Sequence, residues 1–136
     1  MKRQAIRKSD DSILIVHGDA SLAMQDGDEL IELPQDWEQP SRKYRNCWRW
    51  QSDQIKVNLP LARAQKLEEI RKERDARLVE SDKEWMIAMT TGAGQEAIDA
   101  INAKKQALRD LPEIAESDLS SKLAVTTIDA YEPEWP

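Results

Sequence analysis

The feature that most constrains this chain is the run from Leu61 to Met89, which contains neither Gly nor Pro. Strong helix formers dominate it, so one long helix is expected. Pro60 sits just ahead, where a missing backbone N–H costs little because first-turn donors have no helical partner anyway. Thr90-Thr91-Gly92-Ala93-Gly94 then breaks the run. Leu67, Ile70, Leu78, Trp85 and Met89 recur at near-helical spacing, with Arg74 and Ser81 filling gaps in the stripe. A second helix is expected from Gln95 to Leu111, carrying Ala97, Ile98, Ile101, Leu108 and Leu111 on one side, with Pro112 as its stop. So short a connection forces the two helices antiparallel. Counting outward from Gly92 puts Trp85 opposite Ile98 and Ile101, Leu78 opposite Lys105 and Leu108, and Arg71 and Arg74 near Asp110. Such an exposed ion pair is worth ~0–1 kcal/mol and serves mainly as a register marker. Two helices with narrow apolar stripes cannot hide them alone. They must dock on a sheet, on another copy of the chain or on a partner.

Residues 1–59 carry β signals. Gln4 to Arg7 is a short strand candidate, and Ser12 to Val16 is a continuous apolar run bounded by polar turns. Asp26-Gly27-Asp28 is a turn leading into Glu29 to Leu33. Pro34 to Ser41 reads as a loop. Tyr44 to Gln51 alternates, placing Tyr44, Asn46, Trp48 and Trp50 on one face. Ser52-Asp53-Gln54 turns into Ile55 to Leu59, so these last two runs form a hairpin. An antiparallel meander with one apolar face is expected.

After Pro112 the chain reads as largely extended. Ser117 to Lys122 allows one helical turn, Ala124 to Ile128 is β-prone, and Tyr131-Glu132-Pro133-Glu134-Trp135-Pro136 is incompatible with regular helix. The expectation is that this segment lashes to a neighbouring chain with Trp135 as its anchor. The competing reading folds Trp135 back onto its own hairpin. The whole is therefore read as α+β: a small β module over 1–59, a helical hairpin over 60–111 and an extended segment over 112–136.

Composition narrows the chemistry. The 136 residues carry a net charge of −6, a poor match to phosphate backbones, so no nucleic-acid partner is expected despite the local basic run Arg42-Lys43-Tyr44-Arg45. Phe is absent and there are five Trp. Trp suits sites that are apolar at one end and polar at the other, which favours seams and partner contacts. Trp48, Trp50, Trp85, Tyr131 and Trp135 are the candidate partner-binding residues. His17 and Cys47 are the only residues of their kinds, which argues against a zinc site or a thiol–imidazole pair. Gly92-Ala93-Gly94 lacks the strand and third Gly of a phosphate loop, and Asp26 to Glu32 lacks calcium-loop spacing. No catalysis, cofactor or metal is expected. No run is long and apolar enough for a membrane span, and the N-terminus lacks the apolar core of a signal peptide. Synthesis in a cytoplasm is the resulting expectation.

An ordered set of motifs adds to this reading. Arg71 to Asp82, then Trp85, then Leu108-Arg109-Asp110-Leu111-Pro112, then Trp135-Pro136 resembles the bacteriophage tail-fibre assembly chaperones and related tail-fibre-associated proteins. Leu59-Pro60-Leu61-Ala62-Arg63 stands where a β module joins the hairpin in similar tail proteins. The resemblance implies a tail-fibre partner, with a baseplate protein as a second, and a location at the virion tail after synthesis in the host cytoplasm. It leaves a homo-oligomer open. The main expectation is a structural protein retained on the fibre or its baseplate attachment end. The alternative is a transient chaperone that caps the fibre during trimerisation and is absent from the virion. A small enzyme or regulatory binding domain unrelated to phage is the reading from a different class.

Overall fold

The computed structural model describes residues 3–136. The chain divides into two compact units, which meet between Ala62 and Arg63.

In the first unit, β1 (Gln4–Arg7), β2 (Ile13–Val16) and β3 (Glu29–Glu32) form an antiparallel sheet in the order β2-β1-β3. Register is set by pairs such as Ala5 with Ile15 and with Ile31. The β1–β2 connection closes on Lys8–Ser12, with Asp11 at φ 66°. Asp11 takes this left-handed conformation as one of the few non-glycine types that tolerate it, and Arg7 bonds its carboxylate at 2.8 Å. β4 (Trp48–Gln51) and β5 (Gln54–Val57) form the expected hairpin. Its two turn residues, Ser52 and Asp53, both have positive φ, as a type I′ connection requires. Ala5, Leu33, Trp48 and Ile55 make the core of this module, with Trp37 and Trp50 packed against it.

One stretch departs from expectation. Residues Arg42–Cys47 form 3-10 turns, so the strand begins only at Trp48. Tyr44 and Asn46 therefore do not share a strand face with the two tryptophans. The alternation over 44–47 was that of two short turns which bury Tyr44 and Cys47.

Helix α1 runs Leu59–Thr91. Asn58 caps it, its side-chain oxygen accepting from the Leu61 N–H at 3.0 Å. Its other end closes with Gly92 at φ 64° and the Ala93 N–H bonded to the Ala88 carbonyl, the pattern of a left-handed C-cap. The break at Gly92–Gly94 is thus as expected, and α2 (Gln95–Ser120) returns from it.

The second helix overruns its expected stop. Pro112 lies inside α2, not after it. A proline there leaves the Leu108 carbonyl without its helical donor. Burial of Leu111, Pro112, Ala115 and Leu119 on both sides of that point outweighs the loss. The β-prone run near Ala124 is also helical: α3 spans Val125–Ala130 and buries Ile128 completely. Only from Tyr131 does the chain run on extended to its end.

Candidate protein interaction surface

The hairpin seam sets the geometry of everything around it. Leu67, Ile70, Ser81 and Ala88 are buried along α1, and Leu108, Leu111, Ala115 and Leu119 along α2. The α1 positions 67, 74, 81 and 88 recur every seven residues, and two of them are small. Ser81 is fully buried, and its hydroxyl has no hydrogen-bond partner among the described residues. Cross-seam ion pairs fix the register: Lys105 Nζ meets Asp82 at 2.6 Å and Lys104 Nζ meets Glu84 at 3.6 Å. Lys105 also stands 5.9 Å from the Trp85 ring.

This register lies about one turn from that counted outward from Gly92. Both ion pairs are centred on Ala93–Gly94, because the left-handed cap carries α1 through Thr91 before the chain reverses. Asp110 consequently meets neither Arg71 nor Arg74. It accepts from Gln106, while Arg71 bonds Glu68 and Arg74 bonds Asp75.

The C-terminal segment is bound to its own unit. Arg63 donates twice to the Lys122 carbonyl, at 3.1 and 2.6 Å, and Lys66 Nζ donates to the Asp129 carbonyl at 3.0 Å. The Tyr131 hydroxyl donates to Asp118 at 2.8 Å. Trp135 lies 4.3 Å from the Arg77 guanidinium, and its indole N–H donates to Glu132 at 3.2 Å. A cleft of about 260 Å³ remains between α1 and this strap, lined by Ile70, Arg77, Tyr131 and Trp135 among others. Trp135 thus packs on Arg77 of its own unit, the fold-back arrangement, and stays half-buried there. The physical reason is local: α1 presents a guanidinium face that the tail reaches without leaving its own unit.

The other expected partner residues are dispersed. Trp48 is 4% exposed and belongs to the module core, with its indole N–H donating to the Ser41 carbonyl. Trp50 is half-buried, with Arg7 6.0 Å from its ring. Trp85 is half-buried beside Lys105. Trp48 and Trp50 belong to the first unit, while Tyr131 and Trp135 line one cleft of the second.

An exposed apolar surface lies next to Trp85, and of its residues only Met89 belongs to the expected stripe. Met86, Ile87 and Met89 are 65, 62 and 52% exposed in the last turns of α1, and Val79 is 54% exposed two turns earlier. The neighbouring threonines turn inward for hydrogen bonds: Thr90 bonds the Met86 carbonyl and Thr91 the Ile87 carbonyl at 2.7 Å. The hydroxyls are thereby spent on backbone, and the helix end stays apolar. Isolated exposed apolar residues are ordinary, but a run of them at one end of an element marks a contact surface. Methionine suits such a surface because its flexible side chain adapts to varied partners. The signal was present as Trp85-Met86-Ile87-Ala88-Met89, too apolar for a single narrow stripe.

Among the described residues, no cluster of His, Cys, Asp and Glu could hold a metal, and no helix is long and apolar enough to cross a membrane. Burial pushes the Cys47 thiol above its ordinary pKa.

Comparison with curated proteins and with solved structures finds no match. A family model described as phage tail assembly chaperone protein matches residues 67–136, just over half of the chain. The matched region takes in the hairpin seam, its apolar end and the C-terminal strap, and it leaves out the β module. The chain belongs to the phage tail assembly chaperone protein family.

Proposed function

We propose that this chain is a transient, non-enzymatic chaperone of tail-fibre assembly, which covers apolar surface of the unassembled fibre and leaves before the virion is complete. The carrying observation is the exposed apolar end of α1 at Met86, Ile87 and Met89. Unassembled fibre subunits expose surface that is later buried by trimerisation, and such surface aggregates unless covered. An adaptable apolar end on a helical hairpin can cover it and be displaced when the subunits pair. The family description supports assembly over residence in the particle, so the retained-subunit reading yields to the chaperone reading. A buried thiol of raised pKa and an exposed, solitary His17 support a protein that works by contact, without catalysis.

Co-expression with the tail-fibre protein of the same phage tests the proposal. The intact chain should raise the yield of soluble fibre and co-purify with it. The double variant Met86→Ser, Ile87→Ser should keep its helical circular dichroism and lose co-purification at least tenfold, about 1.4 kcal/mol or more of contact energy. Equal rescue by the variant would place the contact elsewhere.

A further inference from the structure

The β module lies outside the region matched by the family model and carries a cleft of its own. It has a volume of about 410 Å³ and opens between the end of β3 and the β4–β5 hairpin. Trp37, Trp50 and Ile55 supply apolar wall, while Glu32, Glu38 and Asp53 bring three carboxylates and no lysine or arginine lines it. Glu38 and Asp53 are exposed and have no ion-pair partner among the described residues. Neither the Trp37 nor the Trp50 indole N–H has an acceptor among them. Both rings already hold cations of the module: Arg3 stands 5.9 Å from the Trp37 ring and Arg7 6.0 Å from that of Trp50. Arg7 is itself neutralised by Asp11 and Glu29, so only Arg3 sets a positive charge against the carboxylates of the cleft.

From these observations we infer that the Trp37–Trp50 cleft binds an extended, proline-containing peptide segment bearing arginine or lysine. Paired tryptophan walls suit the ridged surface of a polyproline-type peptide, whose unbonded backbone carbonyls can accept from indole N–H groups. The carboxylates select for a basic side chain. A neutral sugar could also stack on tryptophan, but it would gain nothing from unpaired charge at the rim. This inference does not depend on the chaperone reading, because it concerns the other unit.

The test uses the intact, isotopically labelled chain and follows the five indole N–H signals by NMR. Trp37→Phe and Trp50→Phe variants assign the two signals that matter. A nonapeptide of three Arg-Pro-Pro repeats should shift both signals saturably. Glu38→Gln and Asp53→Asn should each weaken binding about fivefold, the effect of one rim charge pair of about 1 kcal/mol. Asparagine tolerates the positive φ at position 53, so the turn is preserved. Absence of any shift, equal shifts with a Glu-Pro-Pro nonapeptide, or saturable shifts with maltohexaose would each overturn the inference.

Discussion

Asp28 and Tyr131 contribute stability that is lost at opposite ends of the pH range. Asp28 is 5% exposed at its side chain, and its carboxylate accepts from Lys8 Nζ at 2.7 Å and from the Gln25 N–H at 2.8 Å. These hydrogen bonds hold its pKa below the ordinary carboxylate value, as Ser12 does for Asp10 and Ser21 for Asp19. With the folded pKa depressed, the stabilisation is fully present above the unfolded value of about 3.9 and is lost as pH falls through the folded one. Asp28→Asn should therefore destabilise the β module at pH 7, and its deficit against the natural chain should shrink at pH 3. Urea titration at the two pH values measures this. Tyr131 behaves conversely. Burial, followed by its bond to Asp118, pushes the phenol up to about 12. Its contribution is present below the unfolded value of about 10 and fades between there and about 12. Absorbance titrations at 295 nm of the natural chain and of Tyr131→Phe should differ by a phenol that ionises late, and Asp118→Asn should return it toward 10. Ionisation of Tyr131 at the ordinary value would show that the strap is not docked as described.

At the scale of elements, the hairpin turn decides how the two long helices meet. Gly92 has φ 64°, and a Cβ there would meet nothing within 4 Å. The penalty of Gly92→Ala is thus purely conformational, about 1–2 kcal/mol, and should appear as a lower thermal midpoint with unchanged helicity. No loss would mean that the cap is not left-handed. This turn was legible because Gly and Pro punctuate the chain where apolar periodicity lapses. The β4–β5 hairpin was legible for the same reason, since Trp48, Trp50, Ile55 and Val57 alternate around a two-residue turn. Other elements were hidden by competition between local preference and burial. Pro112 is a helix stop by local preference, yet the buried residues beyond it carry α2 on to Ser120. Val125, Thr126, Thr127 and Ile128 are β-branched and read as strand, but they fold as a short helix that buries Ile128. The Trp85 register slipped by about a turn because the cap geometry, not the glycine itself, sets the pivot. At the candidate surface the sequence singles out Trp85 but not its exposed neighbours, since Met89 fits the apolar stripe equally well.

At the scale of the whole molecule, the two units carry different features that bear on function. Family membership rests on the hairpin and strap, while the β module carries the aromatic cleft without a counterpart among the comparisons. With its tail bound, the second unit keeps a run of exposed apolar side chains at the end of α1, besides Ile114 and Leu123. Such a surface is a liability for a free protein and an asset for one that shields a client, provided the contact is temporary. A temporary role makes a quantitative statement about abundance. Mass spectrometry of infected-cell lysate and of gradient-purified virions, normalised to the tail-fibre protein, measures it directly. The chaperone account predicts that the chain is present with unassembled fibre in the lysate and depleted at least a hundredfold from purified particles. A fixed, near-stoichiometric ratio to fibre protein in those particles would contradict it.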